Sequence, residues 1–433
     1  LDDLIYRTIS LFGFLILAGL AWITGSRNRI EMKTVIGSGL LAWSFGALVF
    51  MAPGSRTAIR FFNDAFVAFL SASGKGAVFL FGPLAFGPGM KLPDGTTSIG
   101  FVLAFQVLPS VIFFSGLVGL LYYFGIMQMV VRFFARIFYR AMKLSGAESL
   151  AASANIFVGI ESGLAVGKYI PKMTPSELLT LLTCMMATVA STVMAVYVIA
   201  LNNIFPGVAG HLVSASIISI PCAVLMSKLA WPETEEPITR DIETAMDPSS
   251  ENEDSKASAG AMTALIEGGT QGVQMAMGIA ALLIVVMGIK GAVDLVLGNI
   301  VLSGGDVLTL NKILGWIAWP FAVLLGLRPE EWQAGAQLLG IRFIETEVSA
   351  YFQLAGMQSG DKPIFSPRSL SAMTYALCGF VHIASLSIFL GGLSRIAPER
   401  TGELSLLGLK ALWIAFLATL ATGCIAGVLA SSI

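Results

Sequence analysis

The chain has 433 residues, 56% of them hydrophobic and only 12% charged, with a net charge of −1. Soluble domains carry about 25% charged residues, so most of this chain is expected to be solvated by lipid or by other membrane helices, and its length is best divided into spans. No dense basic run suggests nucleic acid, and Cys184, Cys222, Cys378 and Cys424 sit inside apolar runs without metal-type spacing, as reduced packing residues do.

Uncharged runs of about 20 residues mark spanning helices. Thr8–Ser26 is the first, long enough to remain as a helix, and Thr34–Ser55 is the second. "RFFNDAFVAFL" (Arg60–Leu70) is amphipathic and suits an interfacial helix. The third span lies within Thr96–Val131. Leu178–Ser227 contains no Asp, Glu, Lys or Arg and holds two spans, divided near "NNIFPG" (Asn202–Gly207). "PETEEPITRDIETAMDPSSENEDSK" (Pro232–Lys256), with nine acids against two bases, reads as a flexible linker between two halves. Gly268–Ile289, Ser369–Ser394 and Ala411–Ile433 complete eight spans; Ile313–Leu327 is too short to span and suits the interface.

Eight spans place both termini on one side. With that side external, Arg27, Arg29, Lys33, Arg132, Arg136, Arg140, Lys143, Lys228, Arg395 and Arg400 fall in cytoplasmic loops. Fewer bases stay outside, chiefly Arg56, Arg60, Lys75, Lys91, Lys312 and Arg328, in keeping with the positive-inside rule.

Two apolar regions do not fit a span. "NIFVGIESGL" (Asn155–Leu164) and "GIRFIETEVSAYFQLAG" (Gly340–Gly356) carry glycines and buried-looking acids, and each precedes a clean run. Re-entrant hairpins read this way, because irregular backbone at membrane depth survives only inside protein or beside a wet cavity. Each region is followed by Cys, three residues, a polar residue, a β-branched residue, Ala and Ser: "CMMATVAS" from Cys184 and "CGFVHIAS" from Cys378. By the span count the copies enter from opposite sides. An inverted repeat with interrupted helices is the architecture of secondary transporters.

An unpaired charge at the bilayer centre costs at least roughly 2.5–3.5 kcal/mol, so Glu161 and Glu347 lead the candidates for a midplane solute site. The bland alternative pairs them with Lys168 or Arg342, or sends them to headgroup water. Glu345 has the weaker case and suits a wet rim. His382, within a 26-residue uncharged run, is a candidate for solute binding or proton handling; Ser385 shares its helix face. His211 reads as structural or exposed. Asn155, Val158, Thr188 and Val189 could supply oxygens to a hard cation such as sodium, although Asn caps and Thr back-bonds are common. Glu and His without metal spacing give no zinc site.

At these residues the chain resembles the concentrative nucleoside transporter family. The resemblance runs from about Phe101 to the C-terminus through "VLPSVIFFSGLVGLLYYFGIMQ", "SANIFVG", "PKMTPSEL", "PETE", "LCGF" and "FLGGLSRIAPER", in that order. It implies a homotrimer whose protomers each join a scaffold to a mobile transport part, with the nucleoside between two hairpin tips and two broken helices. Carried over, Glu347 and Ser385 would contact ribose beside Phe380. Gly159 and Glu161 would contact the base, with Val193 and Met275 as apolar walls, and Asn155, Val158, Thr188 and Val189 would hold sodium. Three departures stand out. Only Ile160 lies between Gly159 and Glu161, where the family has Gln-Thr. His382 stands where the family has a ribose-binding Asn. Thr346 replaces the Asn before Glu347, and Gly163 a Pro or similar residue.

The sequence is therefore read as an all-α polytopic membrane protein with eight spans, two opposed re-entrant hairpins and broken helices. Residues 1–95 form N-terminal scaffold helices and 96–231 the first hairpin with its broken helix and fifth span. Residues 232–260 are the acidic linker, and 261–433 the second hairpin with its broken helix and last span. The expected function is import of a nucleoside across the inner membrane by symport with sodium, or alternatively a proton, through an elevator-like movement. No further cofactor is expected, and the rivals are a different small polar solute and, from another class, an intramembrane enzyme.

Overall fold

The computed structural model describes residues 2–87, 98, 100–159, 163, 166–239, 260–301, 307–360 and 362–430. Within them the chain is helical, with one isolated β-bridge, Val301 to Val307. The helices are α1 (Asp2–Ile23), α2 (Met32–Phe50), α3 (Ser55–Phe81), α4 (Leu103–Gln106), α5 (Leu108–Tyr123), α6 (Ile126–Met142), α7 (Gly146–Ala154), α8 (Pro175–Ala187) and α9 (Ser191–Leu201). They continue with α10 (Val208–Ala230), α11 (Ala261–Leu297), α12 (Leu310–Leu324), α13 (Trp332–Ile344), α14 (Glu347–Gln358), α15 (Pro367–Leu377), α16 (Ile383–Ile396) and α17 (Thr401–Leu429).

Among the described residues, eight candidate spans are long and apolar enough to cross a membrane. Their membership differs from the sequence reading in two places. Residues 55–81 form one helix, α3, that extends well beyond the amphipathic stretch, and its length and hydropathy suffice for a span. The run Ser369–Ser394 is not one helix but two short ones, α15 and α16, separated at Cys378–His382. α8 and α9 are likewise separate helices, interrupted at Thr188–Ala190. Both copies of the Cys-x-x-x-polar pattern thus fall on helix breaks.

The buried centre holds α8, α10, α15 and α17, where Leu178, Leu179, Cys222, Met373 and Phe416 are almost fully enclosed. Outside it, α1, α2, α3 and α11 expose large apolar side chains, among them Phe12, Leu40, Phe79 and Leu295. A soluble monomer rarely shows that much contiguous apolar surface; lipid removes the penalty. α5 packs against α11 through small residues. A Cβ on Gly272 would come 2.6 Å from Ile112 Cα, and one on Gly268 2.7 Å from Ser115 O, so glycine is what lets these backbones touch.

Local sequence sets the helix starts. Ser145 with Glu148, and Thr174 with Glu177, form capping boxes on α7 and α8, and Pro175 and Pro367 occupy first-turn positions needing no donor. The first residues of the acidic linker are held, not free. Thr239 is buried; its carbonyl accepts from Gly146 N (2.7 Å) and its hydroxyl oxygen from Ala147 N (3.2 Å), satisfying orphan donors at the start of α7. Glu233 accepts from Thr174 Oγ1 at 2.8 Å. This corrects the flexible reading for the linker's beginning, because helix-end donors recruit it; residues 240–259 lie outside the described residues. The four cysteines are free and buried, as read from the sequence.

Candidate functional site

α13 and α14 pack against each other with only Glu345 and Thr346 between them. Thr346 caps α14 by accepting from Ser349 N, which makes Glu347 the first residue of that helix, where the macrodipole favours a carboxylate. Glu347 is 3% exposed. Its Oε1 accepts from Tyr197 OH at 2.8 Å. Its Oε2 lies 2.9 Å from His382 Nε2 but has no aligned hydrogen-bond donor among the described residues.

His382 is the N-cap of α16, on the far side of the second helix break. Its Nδ1 accepts from Ser385 N at 3.2 Å. A backbone N–H can only donate, so Nδ1 presents its lone pair and Nε2 carries the ring proton. Ser385 Oγ sits 2.7 Å from Nε2, the shorter of the two side-chain contacts that nitrogen makes. Two groups are then left for a solute: the buried acceptor Glu347 Oε2 and the hydroxyl proton of Ser385. A solute hydroxyl can donate to the first and accept from the second. The sequence placed Glu347, His382 and Ser385 in one site, and the structure brings these three together. It missed Tyr197, on α9. The available signal was one phenol in the aliphatic helix "STVMAVYVIAL", four residues after Val193.

The remaining expected residues divide. Phe380 lies between the two breaks: its N–H donates to Thr188 O at 3.3 Å, and its ring meets Phe389 edge-on. Val193 is buried on α9, and Met275 of α11 reaches the same helix through Thr192 (Oγ1 to Sδ 4.0 Å). Gly159 is buried, while Ile160 and Glu161 lie outside the described residues.

The four sodium candidates sit where α7 ends and α8 breaks. Asn155 is the C-cap of α7 and fully buried; Val158, Thr188 and Val189 are buried too. Ser191 N donates to Phe157 O at 2.9 Å, tying the loop after α7 to the start of α9. Thr188 Oγ1 donates to Cys184 O at 3.0 Å, the back-bond its type allows, which uses its proton and not its lone pairs. This set offers amide, hydroxyl and carbonyl oxygens without a carboxylate, which suits a monovalent cation better than calcium or magnesium.

One acid departs from the sequence reading, and among the described residues neither base offered as an alternative partner pairs with Glu347. Glu345 is not on a wet rim: it is 1% exposed, 2.9 Å from Lys290 Nζ of α11, and also accepts from Ser349 and Gln353. Burial forces a carboxylate to find partners, and a lysine 55 residues earlier supplies one. Among the described residues Arg342 forms no ion pair with Glu347; it donates to Ala376 O and Thr419 Oγ1, bracing the end of α15 at the break. Lys168 is exposed beside Tyr169. His211 is structural, with Nδ1 3.0 Å from Tyr375 OH and its ring stacked on Phe205.

Family models match along the chain. Residues 12–84 match the N-terminus of Na+-dependent nucleoside transporters, 104–203 a nucleoside-recognition gate, and 211–427 the C-terminus of the same transporters. An uncharacterized transporter of Haemophilus influenzae is 33% identical over 430 residues, covering 96% of each chain. Nucleoside permease NupC of Helicobacter pylori is 30% identical, again covering 96% of both. The structure superposes on CNTnw in an inward-facing substrate-bound state with a TM-score of 0.86 at 30% identity, covering 99% of this chain and 100% of that one. A variant of CNTnw in an outward-facing state gives 0.87, with 98% and 97% covered. Sequence, fold and relatives agree: this chain belongs to the concentrative, sodium-dependent nucleoside transporter family, and is a multi-pass membrane transporter, not an enzyme.

Proposed function

We propose that this protein imports a nucleoside by symport with sodium, with Glu347, Ser385 and Tyr197 organising the hydroxyl-binding end of the site. The observation that carries this reading is the pair of unused groups at two helix ends, Glu347 Oε2 and the Ser385 hydroxyl, both buried and both directed by their neighbours. Ribose hydroxyls match that donor–acceptor pair. Val193, Met275 and Phe380 would wall the base, and Gly159, Ile160 and Glu161 would face it from the first hairpin. Because Ile160 replaces a Gln-Thr pair of the family, the base preference of relatives does not transfer.

Sodium would bind Asn155, Val158, Thr188 and Val189. Its binding would order the loop after α7 and the α8–α9 break, and so favour the geometry the solute needs, a coupling that is reciprocal. The α7 and α13–α14 hairpins with their broken helices would form the mobile part of an elevator-like cycle. Residues 1–95 and α11 would belong to the scaffold, 96–231 and 261–433 would form the two repeats, and 232–260 the linker between them. A homotrimer in the inner membrane with external termini completes the reading; it rests on the family resemblance and the distribution of Lys and Arg.

Radiolabelled uptake into proteoliposomes tests it. A sodium gradient should drive accumulation of purine or pyrimidine nucleosides, competed by unlabelled nucleoside and not by free nucleobase. Accumulation of a nucleobase or free sugar instead would favour a different polar solute. One observation supports a second coupling ion: the His382 imidazole lies 2.9 Å from the Glu347 carboxylate at the site. Uptake sustained by a proton gradient without sodium would establish it.

A further inference from the structure

α6 has three different faces. Met127, Val131, Ala135, Phe138 and Met142 are buried against the protein; Ile126, Met129 and Phe133 are exposed; and Arg132, Arg136 and Arg140 recur every fourth residue. Exposed apolar side chains next to a cationic stripe are the mark of a helix lying in a membrane interface. No Asp or Glu occurs between Phe101 and Ala147, so this stretch brings four bases, these three arginines and Lys143, without an acid.

Where α5 ends and α6 begins, the chain turns at Gly125 and leaves a cavity of about 510 Å³ lined by Tyr122, Tyr123, Gln128, Arg132 and Arg136. Gln128 Nε2 donates to Tyr122 O at 2.9 Å, which holds the amide across the turn with its buried Oε1 lacking a donor. The guanidinium groups of Arg132 and Arg136 make no ion pair or hydrogen bond among the described residues. Tyr123, which lines the cavity, and its neighbour Phe124 are both exposed, one with a phenol suited to the headgroup zone and one suited to acyl chains.

We propose that this cavity is a binding site for the headgroup of an anionic phospholipid. The two guanidinium groups take the phosphate oxygens, which suit their forked donors. The unsatisfied Gln128 oxygen accepts from a headgroup hydroxyl, and the acyl chains lie along Phe124, Met129 and Phe133. A free phosphate shares the first contact but not the last, and the apolar rim is what favours the lipid.

Native mass spectrometry of the purified full-length protein, titrated with phosphatidylglycerol or phosphatidylcholine, tests the site. The wild type should bind phosphatidylglycerol selectively. Replacing both arginines (R132Q with R136Q) should weaken it about thirtyfold, at about one factor of five per base near an anionic surface, while R140Q, outside the cavity, stays within about twofold. R136Q alone, at an exposed position, should give about a fivefold loss and serves if the double variant fails to fold. Equal binding of the two lipids, or an equal loss in R140Q, would overturn the proposal in favour of diffuse attraction. A thermal shift with millimolar inorganic phosphate matching that of phosphatidylglycerol would overturn it in favour of a soluble anion.

Discussion

Glu347 Oε2 and His382 Nε2 lie 2.9 Å apart, yet the same ring nitrogen lies closer, 2.7 Å, to Ser385 Oγ. The carboxylate is therefore close to its neighbour without being saturated by it. A buried acceptor with spare capacity costs free energy until a donor arrives, and a hydroxyl of the proposed solute would supply one.

Glu347→Gln should abolish concentrative uptake. The amide keeps the size but puts an NH2 group on one side of the site and removes the charge. A lost charge-assisted hydrogen bond weakens binding by roughly ten- to hundredfold. Nucleoside binding followed by thermal shift, alongside uptake, checks this; near-wild-type values for both would remove Glu347 from the site.

Tyr197→Phe keeps the ring packed on Tyr351, whose centroid is 4.7 Å away, and deletes only the phenol hydroxyl. Half-saturation for nucleoside should rise about tenfold, a loss of about 1.4 kcal/mol. Added to Glu347→Gln, the same change should cost little more, because the two groups act as one unit. Full additivity in the binding constants would show that they act separately.

Thr188→Val should raise the sodium concentration for half-maximal uptake about tenfold, the scale of one lost polar ligand, and Thr188→Ser should restore it. Saturating sodium should recover most of the nucleoside affinity in Thr188→Val. A variant whose sodium curve coincides with that of the wild type would take the hydroxyl out of the cation site. For the wild type, choline in place of sodium at constant pH should collapse uptake.

Lys290→Met leaves Glu345 buried without its cation and should lower stability by about 2 kcal/mol, less than for a fully enclosed pair because Lys290 retains 20% exposure. Combining Lys290→Met with Glu345→Leu should recover much of that loss. Denaturation midpoints of the four proteins in detergent complete the cycle; a double variant as weak as the sum of the singles would mean that the contact contributes no coupling.

Much of this organisation is legible in the sequence, because lipid imposes a length and a polarity on each span. The helix breaks were readable as well: a polar residue inside an apolar run, Thr188 or His382, needs a partner, and each marks the end of a half-helix. What the sequence concealed was pairing at a distance. Nothing near Glu345 announces Lys290, and nothing near Glu347 announces Tyr197, since both partners lie on other helices brought close by packing. α3 was underestimated because its Asn63 and Asp64 break an apolar run that the fold nevertheless keeps helical. Thr239 was unreadable for the opposite reason: composition marks its segment as disordered, and only the orphan donors of α7 hold it in place.

One backbone hydrogen bond, Phe380 N–H to Thr188 O, joins the two helix breaks, and Gly379 beside it leaves almost no gap: a Cβ there would meet Met186 O at 3.0 Å and Ala187 C at 3.2 Å. The contact bears on stoichiometry as well as affinity. With the breaks in register, the proposed cation end could not relax without disturbing the proposed hydroxyl end, so slippage, ions crossing without cargo, would be suppressed by fit alone. Widening this seam by a single methyl should leave both ligands able to bind and let the sodium gradient leak away unharvested.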